Sequence, residues 1–270
     1  MPAIAVTGSF DDLRSPQVRF LEVAAQRGDL QVMLWSDAVV KERTGKAPKF
    51  PLEERRYFVE ALRYVNKVTE VANLDSRDIL PIKDAPPALW LVDQASTSPA
   101  LKQYCAKFGI AYQVIPDQEI VGFPHPGLLS PPPGRKKVII TGCYDWLHTG
   151  HVRFFEEVSE YGSVYAVVGH DANIALLKGA GHPQFSQDER AYMVGSIRYV
   201  TQALISSGMG WLDAEPEILK IKPDIYAVNE DGDKPEKKDY CQKHGIEYLV
   251  LKRLPRPGLP RRQSTDLRGF

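Results

Sequence analysis

The chain has 270 residues, with 34 Lys+Arg set against 34 Asp+Glu, 43% hydrophobic residues, 25% charged residues and three cysteines. That apolar fraction excludes a disordered chain. The zero net charge excludes a general nucleic-acid or membrane-surface binder, although a local anion site is compatible with it. No apolar run nears the ~18 residues of a membrane span. Cys105, Cys143 and Cys241 lack C-x-x-C spacing, which argues against a disulfide framework or a zinc centre. The first eight residues carry no basic leader and read as a first strand, so a cytoplasmic protein is expected.

The elements then alternate along the chain. After the first strand, Gly8 opens a turn-and-helix segment running to Glu22. Residues 116–135 hold Pro116, Pro124, Pro126, Pro131, Pro132 and Pro133 with three glycines, and should be an extended linker. Beyond it, 137–141 reads as a buried strand and 151–161 as a helix with Val152, Phe155 and Val158 on one face. Strands are predicted at 164–168, 225–228 and 248–251, and helices at 187–197, 215–221 and 237–244. Continuous apolar strands alternating with amphipathic helices predict an α/β fold with parallel sheets covered on both faces, binding ligands beyond the strand carboxyl ends.

The chain also repeats itself. The fifteen residues from Gly8 to Glu22 and from Gly142 to Glu156 share seven identities without a gap. The register continues through Glu54-Arg55 with Glu189-Arg190, Arg63-Tyr64-Val65 with Arg198-Tyr199-Val200, and Tyr104-Cys105 with Tyr240-Cys241. The period is too long for a solenoid. Residues 1–115 are therefore expected to form one domain, 116–135 the linker, and 136–270 a second domain.

The segment that carries chemistry is Gly142-Cys143-Tyr144-Asp145-Trp146-Leu147-His148-Thr149-Gly150-His151. It follows a strand and opens a helix, whose free N–H groups and dipole suit phosphate. Gly150 permits close backbone approach, and two histidines three residues apart can each give a ring N–H to one anion. The same pair could ligate a metal, or His148 could simply cap the helix; no third ligand stands at an obvious spacing.

This pattern, G-x-[FY]-D-x-x-H-x-G-H after a strand, resembles the HxGH nucleotidyltransferase superfamily. It is most similar to the cytidylyltransferase-like branch of phosphoethanolamine and glycerol-3-phosphate cytidylyltransferases, with heptose-phosphate adenylyltransferases also similar. The resemblance covers nearly all of 136–270 and, in degraded form, 1–115. It implies two tandem Rossmann-like domains, the first degenerate. In the phosphoethanolamine enzymes the degenerate copy is the second.

By resemblance, His148 and His151 bind nucleotide phosphates and stabilise the transition state, and Lys178 approaches the triphosphate. Gly142, Cys143, Tyr144, Asp145 and Gly150 form the turn beneath the nucleotide, and Arg190 supports it. Arg262, Ser264 and Thr265 match the second signature, with Gln263 where a small hydroxyl residue is usual; Ser264 alone could equally be a helix cap. Asn229 and Asp231 occupy the base-reading strand end, although Asn229-Glu230-Asp231-Gly232-Asp233 could also be a solvated acidic loop.

The implied reaction moves CMP from CTP to a phosphorylated alcohol or sugar and releases pyrophosphate. Mg²⁺ would arrive as the CTP complex, with no protein metal ligand assigned. The alternatives are an adenylyltransferase using ATP and a sugar phosphate, or a nucleotide-binding regulatory protein. Nucleic-acid partners are not expected. In the first half, Arg14, Pro16 and Gln17 stand at the positions of His148, Gly150 and His151, and Thr44 at that of Lys178. That half is expected to be structural, pairing with its sibling as an internal pseudo-dimer, with an anion site at Arg14 as the minority reading.

Overall fold

The computed structural model describes residues 1–73, 86–264 and 267. It divides into two compact units, Met1–Gly122 and Phe123–Phe270.

The first unit runs β1 (Ala3–Gly8), α1 (Ser15–Ala25), β2 (Asp29–Trp35), α2 (Asp37–Thr44), α3 (Leu52–Glu60), β3 (Lys67–Val71), β4 (Leu89–Asp93), α4 (Pro99–Lys107) and β5 (Ala111–Ile115). Its five strands are parallel in the order β3-β2-β1-β4-β5. Local chemistry marks the ends. Ser36 and Ser98 cap α2 and α4 through their hydroxyls, and Gly45 closes α2 at φ +75°.

The second unit runs β6 (Lys137–Gly142), α5 (Thr149–Ser159), β7 (Ser163–Val168), α6 (Asp171–Lys178), α7 (Gln187–Gly195), β8 (Gln202–Ile205), α8 (Glu215–Ile221), β9 (Ile225–Asn229), α9 (Pro235–His244) and β10 (Glu247–Leu251). Its strands are parallel in the order β10-β9-β6-β7-β8, the same arrangement read from the other edge. All six residues of β7 are buried, as a strand covered on both faces requires. Cys105 and Cys241 sit in the cores of their own units, where burial pushes each thiol up to about 11, so both are inert packing groups. In each sheet the order reverses beside the first strand, between β1 and β4 and between β6 and β9. That is where such folds open a ligand crevice.

Four features depart from the pattern reading. Strand β8 and helix α6 are not marked by periodicity, because one is a four-residue edge strand and the other an eight-residue helix capped by His170. Helix α5 starts two residues earlier than 151. The proline-rich stretch is extended but anchored. Gln202, buried on β8, donates its Nε2 to the carbonyls of Pro126 (3.1 Å) and Gly127 (2.9 Å) and accepts the Leu129 N–H at 2.8 Å. Tyr165 donates to the Leu129 carbonyl at 2.8 Å. Among the described residues no helix is long and apolar enough to cross a membrane.

Candidate functional site

The site stands at the switch point of the second unit, over the carboxyl ends of β6 and β9. It starts from a strained turn. Gly142 ends β6, and a Cβ there would meet the Tyr144 ring at 2.7 Å, so only glycine fits. Tyr144 takes φ +52°, a conformation that costs a non-glycine residue of order 1–3 kcal/mol and recurs at functional sites. Its ring packs edge-on against His151 and Phe155, each at 5.4 Å. Its hydroxyl is buried and has no hydrogen-bond partner among the described residues.

Asp145 is buried, and its Oδ1 accepts the backbone N–H groups of Gln184 (2.7 Å) and Phe185 (3.1 Å), while Oδ2 lies 3.5 Å from His182. It therefore ties the 182–185 loop to the turn. Arg190 departs from the expected nucleotide contact. It is 1% exposed and does not line the cavity. Its guanidinium donates to the carbonyls of Phe185 (2.9 Å), Cys143 (2.6 Å) and Gly169 (2.7 Å) and pairs with Asp171 at 2.7 Å. It is a positioning residue that fastens the ends of β6 and β7 to the loop before α7.

The histidines are arranged by the start of α5. His148 caps the helix, its Nδ1 accepting the Gly150 N–H at 3.1 Å, and His151 Nδ1 accepts the His148 N–H at 3.4 Å. A ring nitrogen that accepts cannot carry the proton, so in each neutral ring the proton sits on Nε2. The two rings lie 4.0 Å apart, tilted by 32°. His148 is 3% exposed, and its Nε2 is buried with no partner among the described residues. Burial, with Arg253 and Arg262 beside it, pushes His148 down to about 3. Burial, then His148, Arg253 and Lys178, holds His151 well below its ordinary value. Both rings are thus neutral N–H donors near neutral pH.

Beside them opens a cavity of about 360 Å³. Its walls include Gly142, Cys143, Tyr144, Asp145, Gly150, His151, Lys178, Asn229, Asp231 and Ser264, as expected, whereas the buried His148 does not line it and instead packs its ring against that of His151. Lys178 is the last residue of α6. Ser264 also donates to the Trp146 carbonyl at 3.3 Å. Arg262 lies in an adjoining recess with Gly150 and Asn229, and its carbonyl accepts from Arg253 at 3.4 Å. Thr265 falls outside the described residues.

Two further cations line the cavity that the motifs do not mark. Arg253, just beyond β10, forms an ion pair with Asp231. Lys237, in the first turn of α9, reaches the Gly232 carbonyl at 3.3 Å and lies 5.7 Å from the Tyr226 ring centroid. Burial lowers its ammonium pKa, with Lys234 adding to the shift. The repeat carries a signal for both. The first half has Leu101 opposite Lys237 and Asp117 opposite Arg253, so the cations interrupt an otherwise shared pattern. Among the described residues no three His, Cys, Asp or Glu side chains gather as a metal site.

Comparison with known proteins follows the same outline. A cytidylyltransferase-like family model matches residues 139–253. The bifunctional protein HldE of Campylobacter concisus is 37% identical over 100 residues, which is 36% of this chain and 21% of that protein. The FAD synthase of Thermococcus kodakarensis is 32% identical over 123 residues, 44% of this chain and 80% of that protein. The chain thus spans about a fifth of the HldE relative and four fifths of the FAD synthase. The crystal structure of a lipopolysaccharide core biosynthesis protein from Thermoplasma volcanium aligns over 46% of this chain and 99% of its own, with 23% identity and a TM-score of 0.38.

Proposed function

The chain belongs to the cytidylyltransferase-like family of the nucleotidyltransferase superfamily, and from that premise we propose that its second unit transfers a nucleotidyl group from a nucleoside triphosphate to a phosphorylated small molecule, releasing pyrophosphate. The observation that carries this reading is the pair of neutral imidazoles at the start of α5. Both Nδ1 atoms are committed to backbone N–H groups, so both Nε2–H groups serve as donors. Such donors suit a phosphoryl group gaining equatorial charge.

In this mechanism an oxygen of the acceptor phosphate attacks the α-phosphorus in line as the bond to the pyrophosphate oxygen breaks. No covalent enzyme intermediate forms. His148 and His151 donate to the α-phosphate oxygens. Lys178, Lys237 and Arg253 neutralise the triphosphate and the acceptor phosphate, and Tyr144 offers a further donor. Positioning supplies most of the acceleration. Mg²⁺ carried by the nucleotide would supply further charge neutralisation. With Asp145 committed to the 184–185 backbone, no carboxylate of the turn is assigned to it.

The donor base is read in two ways. Asp231 pairs with Arg253 rather than standing ready for a cytosine amino group. The FAD synthase likeness supports adenylyl transfer from ATP. The family-model description and the resemblance of the motif support cytidylyl transfer from CTP. Pyrophosphate release is the test. The full chain is incubated with Mg²⁺ and either ATP or CTP, with phosphorylated sugars, alcohols and flavin mononucleotide as acceptors. Acceptor-dependent release with one nucleotide supports the reading, and its rate ratio fixes the base. Saturable nucleotide binding without release from any acceptor moves the protein to a regulatory role.

A further inference from the structure

The first unit has lost the phosphate-binding residues but not the crevice. At its own switch point lies a cavity of about 640 Å³, larger than the one in the second unit and within the ~300–1,000 Å³ usual for small-molecule sites. Its floor is Thr7, Gly8 and Val92, and its aromatic walls are Phe10, Phe20 and Trp35.

The charges have been rewritten. Arg14, in place of the first histidine, forms an ion pair with Asp12, which also holds Lys49 at 3.0 Å, and unlike Arg253 in the second unit it does not line the cavity. Pro16 removes the N–H that a phosphate would use at the start of α1. Leu101 replaces a cavity lysine. Among the described residues the one lining cation is Arg43, in a lining that also holds the carboxylates of Asp11 and Asp93. Such a lining disfavours a triphosphate.

The aromatic side, in contrast, is rigidly built. Trp35 donates its Nε1–H to Thr7 Oγ1 at 2.7 Å, and Thr7 in turn donates to the Met33 carbonyl at 3.0 Å. The Arg43 guanidinium lies 4.4 Å over the indole. The second unit has Gly169 at the position of Trp35. The indole therefore stands in the unit that lacks the phosphate-binding residues and has no counterpart in the other. Arg43 covers one face of the indole, and the rest of the fixed aromatic wall, with Phe10 and Phe20, offers apolar surface to a flat ring at little entropic cost. Opposite it, the Asp93–Ser98 turn presents Ser96 and Thr97, with Asp93 Oδ1 accepting the Ser96 N–H at 2.7 Å.

We infer that the first unit binds an uncharged nucleoside in this cavity, its base stacked on the Trp35 side and its hydroxyls on the Asp93–Ser98 turn. This inference does not rest on the chemistry proposed for the second unit. The test uses the full chain carrying His148→Ala and His151→Ala, which disarms the second unit. Adenosine, cytidine, ATP and CTP are titrated by calorimetry. At least one nucleoside should saturate a single site, with its triphosphate about tenfold weaker or more, the loss expected when phosphates meet a lining of two carboxylates and one guanidinium. Adding Ala95→Trp or, separately, Thr97→Trp fills the cavity from exposed turn positions and should abolish that binding while thermal unfolding stays unchanged. Absence of nucleoside binding at millimolar concentration, equal affinity for the triphosphate, or survival of binding in both tryptophan variants overturns the inference.

Discussion

Gly150→Ala separates stability from chemistry, and the structure fixes the sign of each effect. Gly150 is the second residue of α5, and a Cβ there would lie 2.9 Å from His148 Cε1 and 3.0 Å from its Nδ1. Ordinary contact is about 3.5 Å, so the imidazole must retreat by roughly half an ångström. The backbone has no conflict with alanine, and replacing a helical glycine gains about 0.5–1 kcal/mol. Against this, the 3.1 Å bond from Gly150 N–H to His148 Nδ1 is stretched, at a cost of about 0.5–1.5 kcal/mol. The two effects nearly cancel, so the unfolding midpoint should barely move. Turnover should not survive in the same way. The stretched bond fixes which nitrogen of His148 holds its proton and where Nε2 points, and misplacing one donor costs ~10²-fold, or about 2.7 kcal/mol of barrier. The assay is pyrophosphate release, with kcat and KM measured separately, beside a thermal melt. A folded variant with kcat within about twofold of the parent would refute the claim that this ring is aimed by Gly150.

Other outcomes follow from the same geometry. His148→Ala and His151→Ala should each lower kcat by ~10²-fold or more while leaving the fold intact, checked by pyrophosphate release and circular dichroism. Tyr144→Phe should raise stability by about 1 kcal/mol, because it removes a buried unpartnered hydroxyl, and should lower turnover; unchanged turnover would take Tyr144 out of the reaction. Both histidines have folded-state pKa values below the unfolded value of about 6.5, so the unfolded chain binds more protons under acid conditions. The stability they support is complete above about pH 6.5 and is lost as pH falls toward the value of about 3 for His148. Denaturation midpoints across pH 4–7 should fall less steeply for His148→Ala than for the parent, and parallel curves would contradict the assigned burial.

The architecture was legible because two signals agreed. The apolar strands alternate with helices, and the chain writes the same pattern twice, so both units show the same strand order. The short elements were not legible. Strand β8 has four residues with Gln202 at its head, and its pairing is decided by the sheet edge rather than by periodicity. In the site, the H-x-G-H spacing was readable because a helix start dictates it. Lys237 was not, since in Pro235-Glu236-Lys237-Lys238 nothing local tells a cavity lysine from a solvated one. Only its apolar counterpart Leu101 carries the information. Arg190 was legible as important but not as architectural, because a sequence does not say whether an arginine spends its donors on ligand or on backbone.

The two units together settle which of those meanings applies. Arg55 in the first unit repeats Arg190 bond for bond, donating to the carbonyls of Phe50, Ser9 and Trp35 and pairing with Asp37. Asp11 repeats Asp145, accepting the N–H groups of Lys49 and Phe50. Phe10 repeats the left-handed turn of Tyr144, at φ +44°. A unit with neither histidine still keeps all three, so the strained turn, its aspartate and its buried arginine are needed to fold the strand ends. Chemistry must then lie in what differs. The first unit lacks the two imidazoles, the tyrosine hydroxyl, Lys178, Lys237 and Arg253, and in the second unit all of these but the buried His148 ring line one cavity. A shared turn holding two different sets of side chains lets one fold present a cavity lined by N–H and O–H donors in one unit and an aromatic cavity in the other.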